Sequence, residues 1–322
     1  MIIDSHHHWI PPESVERINE YLRPGEKVVK DGDYLRIRRG DVDLFTLNPR
    51  YTDIQLKLKE MDAAGIDMAV LSTACWQEWN TMEMAPRIND AMAEIQAKYP
   101  HRFIALAHVP PFGEGTVAEL ERAVKMGLKG AMLTTNFDGK YPDDEAYRPF
   151  FQKAEELEIP VFFHAAIHPT EHSILEKYGI MRSLGRLLDH TLVAARVLYA
   201  VAKDFPRLKF LHGHLGGSFF IIKERLLDVK WFGVEEQPYE EIIDRQFFFD
   251  TAPAWWKRSH VECAVDNLGV DHILLGSDYP VLPRFLPDSV EIVRQVRLSE
   301  QDKRKILWEN AVKFFNLEGP AQ

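Results

Sequence analysis

A chain of 322 residues, 46% hydrophobic and 27% charged, is of the length of one large α/β barrel and has the ordinary balance of a globular enzyme. Its net charge of −10 repels nucleic-acid backbones and anionic membranes, so neither is an expected partner, and an acidic substrate would need a local cation. Two cysteines, Cys75 and Cys263, are too few for a disulfide framework or a thiolate metal site; with no charged and then apolar leader and no run of membrane-spanning length, a reducing, cytoplasmic setting is expected.

In chain order, the first predicted strand covers residues 2–8 and ends in three histidines. Residues 9–52 follow as a long insertion, expected to lie over a barrel mouth because long connections inside compact folds are usually functional. It contains a predicted hairpin, "DYLRIRRGDVDLF", turning at Gly40-Asp41. A helix over 53–64 starts at the N-cap Asp53 and closes at Gly65. Strands follow at 68–72 and 103–109, then a helix over 117–126 closed by Gly127. A strand at 130–134 leads to a helix over 144–157, with Asp143 as its expected cap, and to a strand at 161–165. A second long connection, 167–189, precedes a helix over 192–203. Strands at 209–214, 247–251 and 272–277, with a helix over 255–267, complete the pattern. Short apolar strands alternating with amphipathic helices are βα units, and eight of them predict an α/β fold, a (β/α)8 TIM barrel. The whole chain, 1–322, is read as one domain.

The chemistry-bearing residues gather at strand ends. His6 and His8 are two apart in a strand, so both face one side and reach one metal ion, while His7 points into the barrel wall. The plain alternative is a solvated, histidine-rich N-terminus. His164 ends "PVFFHA" and supplies a third imidazole, where alone it would read as a core histidine. "FLHGHLGGS" offers His212 and His214, of which only one can join the site in the same way. Asp278, after "LLGS", can bind a metal and accept a proton; otherwise it caps a helix. Three imidazoles and one carboxylate suit Zn2+, with Mn2+ or Fe2+ admitted by the same donors. Trp9, next to His8, is expected to border the pocket. In the hairpin, Arg36 and Arg38 share one face and are candidate partners for a substrate carboxylate, against the alternative that they are solvated. Trp76 and Trp79 either line an aromatic pocket or pack.

The combination "IDSHHHW … FFHAA … HGHLGGSF … LLGSDYP … NAVKFFNL" resembles the amidohydrolase-2 branch of the amidohydrolase superfamily, which includes aminocarboxymuconate-semialdehyde decarboxylase and related metal-dependent decarboxylases. The resemblance covers nearly the whole chain. It implies a single divalent metal held by His6, His8, His164 and Asp278, and His214 rather than His212 as the catalytic histidine beside Asp278. Related two-metal barrels carry a lysine at the fourth strand end; "GAMLTTN" has none, so one metal is expected. Arg225 matches an arginine that binds substrate carboxylate in a neighbouring subunit, which implies a homodimer. The arginine that those decarboxylases carry in the first long loop has no counterpart that aligns here. The leading expectation is a carboxy-lyase acting on a small aromatic or unsaturated carboxylic acid. Its rivals are a hydrolase of a lactone, amide or carbon–carbon bond using metal-activated water, a hydratase, and a binding protein without turnover.

Overall fold

The computed structural model describes residues 1–167, 175, 177–228 and 237–317. Four strands occupy the first 47 residues: β1 (Ile3–His8), β2 (Glu26–Asp31), β3 (Tyr34–Arg39) and β4 (Val42–Leu47). The remaining seven are β5 (Met68–Ser72), β6 (Phe103–Ala105), β7 (Ala131–Thr134), β8 (Val161–His164), β9 (Phe210–His212), β10 (Phe247–Asp250) and β11 (Ile273–Leu274). Every predicted barrel strand is present, several shortened at the ends.

β1, β5 and β6 form one parallel sheet, and β7 to β11 another in sequential order. Backbone hydrogen bonds join the two into a ring. Ser5 N donates to Leu275 O at 2.8 Å on one side, and Met132 N to Ala107 O at 3.0 Å on the other. This is the barrel that the alternation of strands and helices predicts.

Strand periodicity then decides what lies inside. Ile3, Val70, Ile104, Met132, Phe162, Leu211 and Leu274 form one apolar layer, closed from below by Ala311, Phe314 and Phe315 of the last helix. Two residues further along, Ser72 follows Val70, His164 follows Phe162 and, on β10, Asp250 follows Phe248, which packs against the same layer, so all three face the same side as the period of two requires. β1 reaches this phase differently. Its pairing with β5 shifts register between Asp4 and His7, so His6 and His8 face inward above Ile3 although the spacing is odd. His7 turns outward: its Nδ1 lies 2.9 Å from Asp4 Oδ2 and its ring is 4.7 Å from that of Tyr279.

The helix after the insertion spans Ile54–Ala64, with the Asp53 side chain accepting from Leu56 N and Gly65 left-handed at φ 72°. The expected cap Asp143 is displaced by one residue. Asp144 accepts from Ala146 N in a short 3-10 turn ahead of helix Arg148–Glu156, while Asp143 pairs with Arg196. The helix expected from 192 begins earlier, as Arg186–Arg196, preceded by a π-helical turn Met181–Gly185. The helix expected over 255–267 is shifted to Arg258–Leu268.

The insertion holds the expected hairpin, β3 against β4, and one strand more, because β2 pairs antiparallel along β3. This sheet packs Ile37, Leu44, Phe45 and Leu47 against Trp76, Trp79 and Ile167 from the loops that follow β5 and β8. Its end is tied to the first and last barrel strands: Ile10 N donates to Tyr51 O at 2.9 Å, and Asn48 Nδ2 to Pro280 O at 2.9 Å.

Candidate metal centre and active site

His6, His8, His164 and Asp278 come together from three strand ends. Asp278 Oδ1 lies 3.0 Å from His8 Nε2, 3.4 Å from His6 Nε2 and 3.9 Å from His164 Nε2. Three imidazole nitrogens thus converge on one carboxylate oxygen. Asp278 reaches this place because its backbone is left-handed, φ 63°, and its N–H donates to His6 O at 2.9 Å. Gly276 is needed on the approach, since a Cβ there would lie 2.8 Å from His6 Cβ and 3.0 Å from Asp250 Cβ.

The opposite ring nitrogen of each histidine is engaged. His6 Nδ1 lies 2.9 Å from Asp250 Oδ2, His8 Nδ1 2.9 Å from Ser72 Oγ, and His164 Nδ1 2.9 Å from Ala165 O. Carboxylate and carbonyl can only accept, so Nδ1 of His6 and His164 carries the proton and Nε2 keeps its lone pair. Among the described residues, His6 Nε2 and His164 Nε2 are buried without a hydrogen-bond partner. Orphaned, inward-facing lone pairs around a buried carboxylate fit a cation, and imidazole with carboxylate is the donor set of divalent transition metals. Before an ion binds, burial opposes charge on His6, yet Asp250 and Asp278 outweigh it and push its pKa up to about 10, so the ring also holds a proton on Nε2 that a metal ion displaces. Burial alone would raise Asp278, but the imidazoles of His164, His6 and His8 gathered around it hold it well below the usual carboxylate range.

His214 stands beside this group, its ring 5.0 Å from His6 and 5.7 Å from His164. The donor atoms of His6, His164, His214 and Asp278 all lie within 4.8 Å of one another, so by distance His214 fits either a ligand or a proton-transfer role. His212 does not join them. Its ring is stacked between Phe163 at 5.6 Å and Phe247 at 4.9 Å, in the packing behind the strand. Beyond β9 the chain turns through four left-handed residues, His214 to Gly217, which swings His214 towards the centre. Burial lowers the His214 pKa to about 4, so the free ring is neutral at pH 7.

The expected substrate contacts are placed elsewhere. Trp9 is buried in the main core, its Nε1 donating to Thr52 O at 3.1 Å. Arg36 and Arg38 do share a face, but both are spent within the sheet: Arg36 Nη1 lies 2.8 Å from Asp43 Oδ2, and Arg38 Nε 2.7 Å from Asp43 Oδ1. Trp76 and Trp79 pack against each other and against Phe45. Arg225 is exposed on helix Phe219–Leu227.

Two site residues escaped the sequence reading. Asp250 grips His6 and also accepts from His214 N at 3.1 Å; its only signal was an acid ending the apolar run "FFFD". His190 is fully buried, its ring 4.8 Å from that of His214, with neither nitrogen hydrogen-bonded among the described residues. Asp250→Asn is expected to keep the fold and weaken metal binding by roughly 10- to 100-fold, as loss of an orienting carboxylate does. A competitive chelator titration measures this, and unchanged affinity would remove Asp250 from the support of the centre.

A parallel barrel with a histidine–carboxylate centre at the C-terminal ends of its strands defines a metal-dependent barrel enzyme. The amidohydrolase family model matches residues 3–317, and the chain belongs to that family. A protein named decarboxylase orsB from Emericella nidulans is 30% identical over 246 residues, covering 70% of this chain and 73% of its own. The 2-amino-3-carboxymuconate-6-semialdehyde decarboxylase of Dictyostelium discoideum is 26% identical, covering 98% and 92%. A crystal structure of 2,6-dihydroxybenzoate decarboxylase with 2,6-dihydroxybenzoate superposes with a TM-score of 0.79 at 25% identity, covering 98% and 99%. The resemblance read from the motifs holds, and the chain is an enzyme of the decarboxylase kind.

Proposed function

We propose that this chain removes carbon dioxide from a small aromatic or unsaturated carboxylic acid at one divalent metal held by His6, His8, His164 and Asp278. The observation that carries the reading is the convergence of three Nε2 atoms on Asp278 Oδ1, with each Nδ1 engaged behind. Zn2+ suits these donors best, and Mn2+ or Fe2+ is the alternative. When bound, the ion supplies fixed positive charge that holds substrate oxygens and stabilises negative charge developing on the substrate. The chain's residues do the rest. His214, kept neutral by burial, takes a proton from solvent as an anionic substrate settles against it and delivers it to the carbon that bears the carboxylate. The carbon–carbon bond then breaks, its electron pair stays on that carbon, and carbon dioxide leaves.

We read residues 1–322 as a single catalytic unit with residues 9–52 as its cover, working in the cytoplasm on a small molecule. Among the described residues no helix is long and apolar enough to cross a membrane. A substrate screen on metal-loaded protein, following carbon dioxide and acid release separately, tests the reaction. Carbon dioxide equal to substrate consumed is expected; acid release from a lactone or amide without carbon dioxide would assign a hydrolase instead.

The working form is proposed to be a homodimer with Arg225 at the subunit boundary. Leu184, Leu188 and Leu192 repeat every four residues and are 43%, 37% and 40% exposed, and Ile221 on the helix packed alongside is 65% exposed. Exposed apolar stripes of this kind mark contact surfaces. Light scattering should give twice the chain mass, and Leu188→Glu should halve it. A wild-type monomer would remove Arg225 from any role across subunits.

A further inference from the structure

An acidic protein that handles acidic substrates needs unpaired cations near its centre, and the arginines here divide sharply. Those of the insertion sheet are paired: Arg36 and Arg38 with Asp43, Arg39 with Glu26. Arg182 and Arg186 have no carboxylate partner among the described residues. Arg186 is half-buried, and among the described residues its Nε has no acceptor and its one polar contact is Cys75 Sγ, 3.9 Å from Nη2. Burial pushes the Cys75 pKa up, so this neighbour is a neutral thiol and no counter-ion. Asp43, whose charge reaches Arg182, is already engaged twice.

Position aims this pair. Arg182, Arg186 and His190 recur every four residues and so lie along one helical face. The foot of that face is fixed at the centre, because the His190 ring packs 4.8 Å from the His214 ring. The exposed leucines 184, 188 and 192 occupy the opposite face. Across from Arg186, Cys75 and Tyr51 are both close enough to Asp278 to feel its charge, and Tyr51 follows the segment tied to β1. Arg186 and Arg182 also act on each other as like charges, a cost that a bound anion relieves.

We propose that Arg186, supported by Arg182, is an anion subsite at the mouth of the barrel, and that the substrate carries a second carboxylate besides the one it loses. A guanidinium fork receives a carboxylate in two parallel hydrogen bonds, and such pairing fixes which carboxylate is presented to His214. The inference rests on the carboxy-lyase reading for the fate of the first carboxylate, but the subsite can be measured without turnover.

The test is calorimetric binding of benzoate and of benzene-1,3-dicarboxylate to metal-loaded protein. The dicarboxylate is expected to bind roughly 10- to 100-fold tighter, the worth of hydrogen bonds to a charged group. Arg186→Met should abolish that preference while metal content and benzoate binding stay as they are. Arg186→Lys should restore part of it, since a point charge replaces a fork. Arg182→Gln, an exposed change, should lower the preference without touching the Cys75 contact. Wild-type protein that binds the two acids equally, or neither, overturns the subsite, as does an Arg186→Met protein that keeps the preference. Carbon dioxide release with no such preference would sink the subsite alone. An Arg186-dependent preference with no decarboxylation of any acid would sink the carboxy-lyase reading and leave the subsite standing.

Discussion

Protein carrying Asp278→Ala is expected to be purified without its metal and without turnover. Asp278 Oδ1 is the point on which the Nε2 atoms of His6, His8 and His164 converge, at 3.4, 3.0 and 3.9 Å. It is the carboxylate on the Nε2 side of the three rings; Asp250 stands behind His6 and holds the other ring nitrogen. Removing it leaves neutral donors around a buried point where a doubly charged ion must sit. Loss of an orienting group alone costs about 10- to 100-fold in affinity, and loss of a direct ligand with its charge costs more. His164→Ala should behave the same way, because its Nε2 is buried with no other partner. Elemental analysis beside a decarboxylation assay checks both. Full metal occupancy in either variant would move the centre elsewhere.

His214→Asn is expected to separate what Asp278→Ala joins. Metal should remain at the wild-type level while kcat falls by roughly 10²–10⁴, the usual worth of a positioned proton-transfer group. The separation matters because distance alone does not assign His214, whose donor atom lies within 4.8 Å of those of His6, His164 and Asp278. His212 supplies the control. Stacked between Phe163 and Phe247, it should affect stability when replaced by Phe, and leave turnover in place. If His214→Asn strips the metal, His214 is a ligand, and the proton must come from another group, with His190 next to it the nearest imidazole to examine.

Much of the centre was legible in the sequence because strand periodicity is simple. His6 with His8, and His164 after Phe162, follow from residues i and i+2 sharing a face, whereas Asp278 was legible only from its place just past the last strand and owes its direction to a left-handed backbone. The register shift in β1, which brings Ile3 and His6 to the same side, leaves no mark in the sequence pattern. The hairpin was readable from its turn, and the shared face of Arg36 and Arg38 from alternation. Their partner was not: Asp43 is two residues past the turn and becomes a counter-ion only once β4 folds back. The costliest error was one helix start. Placing it at 192 passed over the four-residue spacing of Leu184, Leu188 and Leu192 and left Arg182, Arg186 and His190 in a loop with no common face. The helix begins at Arg186 without a side-chain cap, and the π-helical turn before it, Met181–Gly185, has no side-chain cap either, so no start signal marks this segment. Asp143 and Asp144 show the same limit on a smaller scale, since adjacent aspartates are equally good caps until the backbone chooses between them.

The measurement that bears most directly on the whole assignment is a metal titration of chelator-stripped protein, with bound metal and carbon dioxide release followed in the same samples. Release from an aromatic carboxylate should rise in proportion to bound metal and reach its plateau at one equivalent per chain. A plateau at two equivalents, or full release from metal-free protein, would contradict a single centre built from His6, His8, His164 and Asp278.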